Sequence, residues 1–442
     1  MLRTFTNNNT RSLLAVLFSL PFVYLVSVPY TVTRMAGQPI LVDGLSRWFL
    51  LLTRFLMPLT FLLGIHKEQV HVMGARLFVV ELALLRSFTV TELLSFYIVF
   101  EMVLMPMFLL ILVYGSRRRR IRACYQFFLY TVAFSLFLLV ACVWLHATYG
   151  TTDWRVLMEA NMNLTGLQEG LLFTALFLRL AVKVPMMPLH LWLPEAHTEA
   201  STEGSVILAG VLLKLGTYGI LRFLLPLYPV ARTMRAPAVM TLSAIRVVRA
   251  AMTCIRQADL KKMIAYSSVS HMGLVTLGLF TGNVSRQMGR TYMMLTHGIV
   301  SPALFLRVGM LYERYGTRTL DVYGGMTTRM PLFRVVWGLA VFSNMAIPGT
   351  ASFPAEFLIL LGSFQEAKFA TFLRSFGIVL TAAYCIRLYT MVLGGVLKPH
   401  MTGVADLTRK EAFVCIWYVG LMILAGVRPT SVLRSLEHVI YM

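Results

Sequence analysis

The sequence predicts an all-α fold: a polytopic membrane protein with about 13 (12–14) transmembrane helices. Hydrophobic residues make up 58% of the 442 residues and charged residues only 13%, whereas soluble domains average about half apolar and about a quarter charged. The apolar residues are gathered in long runs, and no polar linker divides the chain. These observations favour one polytopic unit over several soluble domains.

Apolar runs long enough to cross a bilayer recur along the chain. A spanning helix needs about 20 mainly apolar residues, because a ~30 Å hydrocarbon core is crossed at ~1.5 Å per residue. We predict spans at 12–30, 46–65, 73–88, 91–114, 121–147, 168–194, 204–228, 237–253, 262–283, 291–312, 332–365, 369–397 and 411–427. For the first run the alternative is a cleaved leader, but the run is long for one, so we favour a retained span.

Two of these runs are too long for one crossing and contain helix breakers. The breakers are Pro185 and Pro188 in the run 168–194, and Pro348, Gly349 and Pro354 in the run 332–365. Interrupted backbone at membrane depth is tolerated only where protein or a water-filled cavity surrounds it. Each run is therefore predicted to be a broken helix, which points to an ion pathway.

The basic loops predict the orientation, since Lys and Arg in short loops stay on the cytoplasmic or matrix side. The strongest signal lies between the fourth and fifth spans: Arg117, Arg118, Arg119, Arg120 and Arg122. Counting spans from this loop places the N-terminus on the same side. We interpret the net charge of +21 mainly as this orientation signal, and we expect no nucleic-acid partner.

Several ionisable residues lie inside predicted spans, where a charged side chain costs roughly 2.5–3.5 kcal/mol on insertion scales, and six of them are our functional candidates. They are Glu101, Lys183, Lys214, His271, His297 and Glu356. Three of them, Glu101, Lys214 and His271, fall near the middle of their spans, and Lys183 and Glu356 flank the two predicted breaks. An ionisable residue at this depth is a functional candidate.

Lysine usage sharpens this hypothesis. Only 8 of the 40 basic residues are Lys and the rest are Arg; Arg does not release its proton in a protein, whereas a desolvated Lys can. We interpret the six residues as a row of exchangeable proton sites in which Glu101 pairs with Lys183. The alternative is a set of static buried salt bridges that specify helix packing.

Other chemistries find little support. The five cysteines have no C-x-x-C or metal-ligand spacing, which argues against a disulfide scaffold, an iron–sulfur protein or a c-type haem carrier. His271 and His297 lack the second histidine pair that a bis-histidine haem needs. No nucleotide-binding, zinc-protease or serine-hydrolase motif occurs. We predict neither a metal site nor a cofactor site.

Four blocks of the sequence resemble the antiporter-like membrane subunits of the proton-pumping NADH:quinone oxidoreductase, respiratory complex I, and chain 4 most closely. They are KVPMMPLHLWLPEAHTEASTEGSVILAGVLLKLGTYGILR at 183–222, DLKKMIAYSSVSHMG at 259–273, THGIVSPALFLRVGMLYERYGTR at 296–318 and IPGTASFPAEFLIL at 347–360. The resemblance covers about 90–430 of this chain, and its motifs are highly specific.

The resemblance implies two inverted five-helix repeats, each with one broken helix. We expect N-terminal helices at 1–90, the first repeat at 91–253, the second at 254–397, and a C-terminal helix and tail at 398–442. By motif, the six residues named above match the proton-channel positions of the family. Glu356 favours chain 4, because the sister subunits usually carry a lysine at the corresponding place.

The resemblance also implies that this chain does no redox chemistry of its own. FMN, iron–sulfur clusters and ubiquinone would bind elsewhere in the complex. The expected partners are the other membrane-arm subunits, especially the two sister antiporter-like chains, and membrane lipids. The compact length favours the mitochondrial inner membrane over a bacterial plasma membrane.

Two features depart from the family. We predict thirteen spans where fourteen are typical, and arginines lie inside spans where the family is mostly apolar: Arg179, Arg246, Arg249 and Arg307. Two competing interpretations remain open. One is a subunit of a multi-subunit cation/proton antiporter, and the other is a purely structural membrane spacer.

Overall fold

The structure, a computed structural model, describes residues 31–35, 38–64, 70–115, 117–160, 162–280, 284–366, 368–401 and 405–440. The predicted span at 12–30 lies outside these residues. Whether this segment is a retained first span or a cleaved leader therefore stays a prediction.

Helices make up most of the described chain. In chain order they are α1 (Gly44–Gly64), α2 (Val70–Ser87), α3 (Leu93–Tyr114), α4 (Arg120–Tyr149), α5 (Trp154–Glu159), α6 (Gly166–Lys183), α7 (Trp192–Glu199) and α8 (Thr202–Leu227). They continue with α9 (Pro229–Arg256), α10 (Leu260–Leu279), α11 (Val284–Tyr315), α12 (Pro331–Asn344), α13 (Ser352–Glu366), α14 (Lys368–Leu393), α15 (Arg409–Val427) and α16 (Thr430–Ile440). Each predicted span after the first coincides with one of these helices or, for the two overlong runs, with a pair.

A short hairpin departs from the predicted all-α class. Strand β1 (Thr31–Met35) pairs antiparallel with β2 (Gln38–Val42), and the backbone N–H of Leu41 donates to Thr89 O, 2.9 Å away, just after α2. Sequence periodicity does not distinguish strand from helix in segments of five residues, so the hairpin was not predictable from the sequence.

The chain folds into two compact units. The first comprises the described residues within 1–183 and 199–232, and the second those within 184–198 and 233–442. The second unit therefore includes α7, the helix that follows the first break. This division differs from the repeat boundary expected at 253/254, which stays a prediction.

Local sequence explains where several helices begin and end. Helix α4 ends at Tyr149 and is capped by Gly150, whose φ of +70° suits glycine and whose N–H donates to His146 O at 2.9 Å. Helix α10 begins after Asp259, whose carboxylate accepts the backbone N–H of Lys261 at 2.9 Å. Such caps satisfy backbone groups that have no partner within the helix.

Eight of the described helices are long and apolar enough to cross a membrane: α1, α3, α4, α8, α9, α11, α14 and α15. Large apolar side chains lie exposed on their outer faces; Val140 on α4 is 68% exposed and Ile416 on α15 is 66% exposed. Exposed apolar surface of this extent marks a membrane or protein contact. The chain is a polytopic membrane protein.

Among the eight helices able to cross a membrane, one in each unit is almost wholly buried, and we call it the interior helix of that unit. The apolar window of α8 in the first unit is 94% buried, and so is that of α11 in the second, whereas only 33% of the α4 window and 28% of the α15 window are buried. A helix that is hydrophobic all round and buried belongs to a core. These two interior helices carry Lys214 and His297.

Two pairs of helices are separated by short non-helical segments near the predicted breakers. Helix α6 ends at Lys183 and α7 begins at Trp192, and α12 ends at Asn344 and α13 begins at Ser352. Pro354 lies in the first turn of α13 rather than in the break. Proline is tolerated there, because the N–H groups of a first turn have no partner within the helix.

A two-pronged ion pair joins α11 to α15 in the second unit. Arg314 Nη1 donates to Glu411 Oε1 at 2.7 Å and Nη2 donates to Oε2 at 2.6 Å. Glu411 also accepts the N–H of Thr408 at 2.7 Å, which closes a capping box at the start of α15. Both charged side chains are nearly buried, so the pair fixes the beginning of α15.

Replacing one partner of this pair is expected to be costly. Glu411→Leu leaves Arg314 buried without its carboxylate, and should lower the free energy of unfolding by about 3–5 kcal/mol. The double variant Arg314→Leu/Glu411→Leu should recover part of that loss. The thermal denaturation midpoint of the assembled complex measures both, and equal losses in the single and double variants would contradict this assignment.

Candidate functional site

Three charged side chains lie close together beside α4 in the first unit: Glu101 on α3, and Arg179 and Lys183 on α6. Arg179 Nη2 donates to Glu101 Oε1 at 2.5 Å, and Arg179 Nη1 donates to the backbone oxygen of Thr131 at 3.0 Å. The guanidinium also lies 4.2 Å from the ring centre of Phe100. Arg179 is fully buried, whereas the Glu101 side chain is 21% exposed.

Lys183 lies one helical turn beyond Arg179, at the last residue of α6. Its ammonium Nζ is 5.2 Å from the ring centre of Phe100 and 5.1 Å from that of Phe127, and the residue is buried. The aromatic faces stabilise a cation here. The predicted pairing of Glu101 with Lys183 stays a prediction, because the ion pair defined at Glu101 joins it to Arg179.

Lys214 occupies the middle of α8, the interior helix of the first unit. Its Nζ donates to Ala209 O at 2.5 Å, and the side chain is fully buried. Ala209 lies in a π-helical segment, Leu208–Leu212, and a second one follows at Ile220–Leu224. Wider π turns often occur at functional sites, and this one provides a carbonyl oxygen for the buried ammonium.

Helices α6 and α8, which carry the two lysines, pack closely against each other. A Cβ atom added to Gly219 on α8 would lie 2.6 Å from Leu180 Cδ2 on α6 and 3.3 Å from Phe96 Cζ. Glycine therefore permits this approach. The first unit thus brings Glu101, Lys183 and Lys214 onto three neighbouring helices of one buried core.

Two histidines and a glutamate meet in the second unit. His271 Nδ1 on α10 lies 3.4 Å from Glu356 Oε1 on α13, and the ring centres of His271 and His297 on α11 are 5.8 Å apart. All three residues are buried. One further hydroxyl pair, Ser268 with Ser301 at 3.0 Å, links α10 and α11 beside them.

A buried arginine, Arg374, lies next to this cluster and was not singled out from the sequence. Its Nη2 donates to the backbone oxygen of Glu356 at 3.3 Å, and the side chain is fully buried. The signal was available: a basic residue early in a long apolar run of α14. Arg374 and His271 therefore both contact the same residue, Glu356.

The first break lies beside a buried arginine. Arg246 on α9 donates from Nη1 to Val184 O at 3.1 Å and from Nη2 to Thr276 Oγ1 at 2.8 Å. Val184 directly follows the end of α6, so its carbonyl has no helical partner. Arg246 therefore has a structural explanation that the sequence lacked: it satisfies the backbone of the break.

The other unexplained arginines divide into buried and exposed ones. Arg307 is fully buried on α11 and donates to Ala303 O, one turn back, at 2.7 Å. Arg249 lies on the exposed face of α9. Among the described residues, neither forms a hydrogen bond or an ion pair with the two clusters of titratable residues.

Two residues of the second break have positive φ angles. Gly349 has a φ of +89° and Ala346, three residues earlier, a φ of +59°; only glycine adopts such values without strain. A Cβ atom at Gly426 on α15 would lie 2.2 Å from Gly349 O. Because Gly426 has no side chain, α15 can pack closely against the backbone of the break.

The described residues contain two largely buried sets of titratable side chains, one in each unit. The six residues predicted from the sequence lie in these two sets, and their role in proton transfer stays a prediction. Arg179 lies beside the first set and Arg374 beside the second. Among the described residues, no group of three His, Cys, Asp or Glu side chains has the geometry to hold a metal ion.

Comparison with known proteins gives one consistent match. Residues 90–381 match the family model described as "NADH:quinone oxidoreductase/Mrp antiporter, TM". The chain is 45% identical over 408 residues to NADH-ubiquinone oxidoreductase chain 4 of Marchantia polymorpha, covering 90% of this chain and 82% of that one. It is 44% identical over 412 residues to the protein of the same name from Arabidopsis thaliana, with the same coverage.

Solved structures share the architecture. A chain of respiratory complex I from Thermus thermophilus superposes with a TM-score of 0.91 at 28% identity, covering 99% of this chain and 94% of that one. A chain of the Mrp complex from a Dietzia species gives 0.85 at 16% identity, covering 98% and 91%. The second likeness concerns the fold alone.

The role of Arg246 at the first break is testable. Arg246→Met leaves Val184 O buried and unpaired, which should lower the free energy of unfolding by about 1–3 kcal/mol. The matched control is Arg249→Met, the same substitution one turn away on the exposed face of α9, expected to change it by less than about 0.5 kcal/mol. Equal shifts of the thermal midpoint in the two variants would contradict the assignment.

Proposed function

The chain belongs to the NADH:quinone oxidoreductase/Mrp antiporter membrane family, and on this premise we propose that it translocates protons as an antiporter-like subunit of an NADH:ubiquinone oxidoreductase. Its relatives at 45% identity are named as chain 4 of that enzyme. The comparison therefore favours complex I over the antiporter alternative.

One observation carries the proposal: each unit encloses a cluster of titratable side chains in a core made of apolar helices. Glu101, Lys183 and Lys214 lie in the first unit, and His271, His297 and Glu356 in the second. Burying such groups costs free energy unless each is paired or hydrogen-bonded. Ionisable residues buried among membrane helices are therefore candidates for a functional role. A static spacer could fill both cores with apolar side chains at lower cost.

Proton transfer at the first cluster depends on which charges lie beside Lys183. The carboxylate of Glu101 stabilises the Lys183 ammonium through space, while Arg179, which keeps its own proton, holds that carboxylate in place. A conformational change that draws Glu101 away would remove the negative charge. The Lys183 proton would then pass onward to a neutral acceptor such as Lys214.

In the second cluster a histidine that can accept a proton, His271, lies beside a carboxylate, that of Glu356. Neutral His271 can take a proton on one ring nitrogen and release one from the other, because its two nitrogens exchange roles. Its Nδ1 faces Glu356, whose carboxylate stabilises the resulting imidazolium. His297 stands next in line, so His271, His297 and Glu356 would pass protons within this unit.

We extend the proposal to the architecture and setting. The chain would have thirteen spans in two inverted five-helix repeats at 91–253 and 254–397, with the arginine-rich loop at 117–122 on the matrix side. It would lie in the mitochondrial inner membrane beside the two sister antiporter-like chains. The electron-transfer groups, FMN, iron–sulfur clusters and ubiquinone, would belong to other subunits.

The main alternative is a subunit of a multi-subunit cation/proton antiporter, and isolating the native assembly distinguishes the two. We expect the isolated complex to oxidise NADH with a quinone as acceptor. Sodium-dependent pH changes in a complex without redox subunits would instead support the antiporter.

Substitution of the titratable residues tests proton translocation directly. Glu101→Gln, Lys214→Met and Glu356→Gln remove an exchangeable proton but keep much of the side-chain volume, so the complex should assemble. Each should lower the number of protons translocated per NADH oxidised in sealed membrane vesicles. Glu159→Gln, on the exposed face of α5, serves as the control, and a normal ratio in all three variants would favour the spacer.

A further inference from the structure

The loop between α3 and α4 holds the densest group of positive charge in the sequence. It carries five arginines within six residues, 117–122, and no acidic residue occurs from 102 to 152. Four of these arginines are exposed: Arg117, Arg118, Arg119 and Arg122. In the part of the chain that the structure describes, their side chains form no hydrogen bond or ion pair. Their charge is therefore neither buried nor compensated by a carboxylate of the described chain.

The fifth arginine, Arg120, holds the loop in place. Its Nη1 donates to Val113 O at 3.0 Å and to Gly115 O at 2.8 Å, carbonyl groups at the end of α3 that lack helical donors. Only residues 115–119 separate α3 from α4. Because the connection is short and fixed at Arg120, the exposed arginines stay close to the ends of the two helices.

The length of α4 places these arginines at the depth of lipid headgroups. Its 30 residues extend about 45 Å, against about 40–45 Å for a bilayer with its headgroup regions. Tyr125 and Trp144 on α4 are about 28 Å apart along the axis, close to the ~30 Å hydrocarbon core. Such aromatic side chains are enriched at the two membrane interfaces. Arg122 and the loop lie just beyond Tyr125.

An apolar stripe on α4 continues from the arginines toward the hydrocarbon. Ile121, Tyr125 and Leu129 are 53%, 54% and 61% exposed, and their spacing of four residues puts them on one face of the helix. Tyr125 packs edge-on against Phe108 of α3, with ring centres 5.8 Å apart. The surface therefore combines an exposed cationic end with an exposed apolar stripe, which fits an amphipathic molecule with a negative headgroup.

We propose that the arginine-rich loop and the apolar stripe bind an anionic phospholipid of the adjacent leaflet, with its phosphate against the exposed arginines and an acyl chain along the stripe. Guanidinium groups suit this role, because each offers parallel N–H donors to the oxygens of a phosphate. Clusters of basic residues beside membrane helices attract anionic lipids. This inference does not depend on proton translocation and goes beyond the proposed function.

Two other roles of the loop make different predictions. An orientation signal acts while the chain inserts, and it requires no preference for anionic lipid in the assembled complex. An acidic segment of a neighbouring subunit would match the charge of the arginines. It would not match the apolar stripe, which extends to the depth of the lipid tails.

The unmodified complex provides the first test. It is reconstituted in lipid discs of phosphatidylcholine alone and in discs that also contain phosphatidylglycerol, which serves as the anionic probe. Density maps of both preparations are obtained by electron cryo-microscopy. We expect density for a phospholipid at the loop, with its phosphate against the arginines and a chain along the stripe, only in the discs that contain phosphatidylglycerol.

Removing the positive charge provides the second test. The triple variant Arg117→Gln/Arg118→Gln/Arg119→Gln keeps Arg120, so the end of α3 stays capped. It should lower the affinity of this surface for phosphatidylglycerol on the order of 100-fold, at about fivefold for each arginine near the membrane surface. The measurement is the occupancy of the lipid density over a series of phosphatidylglycerol fractions.

The matched control removes the same charge elsewhere. Arg329→Gln/Arg334→Gln/Arg409→Gln changes three exposed arginines of the second unit. An acidic residue, Asp406, lies beside two of them, since its carboxylate accepts the N–H of Leu332 at 2.8 Å. We expect the lipid density at the arginine-rich loop to be unchanged in this variant.

Three outcomes overturn the proposal. Equal density in discs with and without phosphatidylglycerol would show that the surface does not select a negative headgroup. An acidic protein segment lying on the arginines in place of lipid would assign the surface to another subunit. Equal losses in the two triple variants would mean that net charge, and not this loop, controls the lipid. The comparison of disc compositions uses the unmodified complex, so it decides even if the first triple variant assembles poorly.

Discussion

The cost of placing charge in hydrocarbon is the constraint on which the rest of this structure depends. A bilayer interior has no water to solvate an ion, so each buried ionisable group needs a partner within the protein. Arg179 meets Glu101 and a backbone carbonyl, and Lys214 meets the oxygen of Ala209. Such partners allow polar groups to be buried among helices whose outer faces expose large apolar side chains.

The same constraint governs the interrupted helices. Ending α6 at Lys183 leaves carbonyl groups without helical donors, and Arg246 supplies one from another helix. At the second break, Gly349 adopts a φ of +89° and Gly426 on α15 allows that helix to approach the backbone of Gly349 closely. The two breaks therefore differ: an arginine pairs a free carbonyl at the first, and glycines permit the backbone path and the close packing at the second.

Arginine and the other ionisable residues divide the work. An arginine keeps its proton, so Arg179, Arg222 and Arg374 act as fixed positive charges that position carboxylates, hydroxyls or backbone oxygens. Unlike arginine, the side chains of lysine, histidine and glutamate can release and accept protons. Two of the glutamates lie against a fixed positive charge: Glu101 against Arg179, and Glu356 against Arg374.

The sequence by itself determined the helices that coincide with predicted spans, the two breaks and the positions of the six candidates, because each depends on local features: the length of an apolar run, a proline or glycine, and a charge inside a span. The short helices α5 and α16 were not predicted. The tertiary structure alone decided the partners. Periodicity predicts which face of a helix is buried but not which helix packs against that face. The sequence therefore did not predict that Glu101 forms its defined ion pair with Arg179. The contact between Arg222 and Asp43 joins residues 179 positions apart, and the hairpin at 31–42 was too short to leave a pattern. Long-range pairs form only when the chain has folded, since their geometry belongs to the packing and not to either segment.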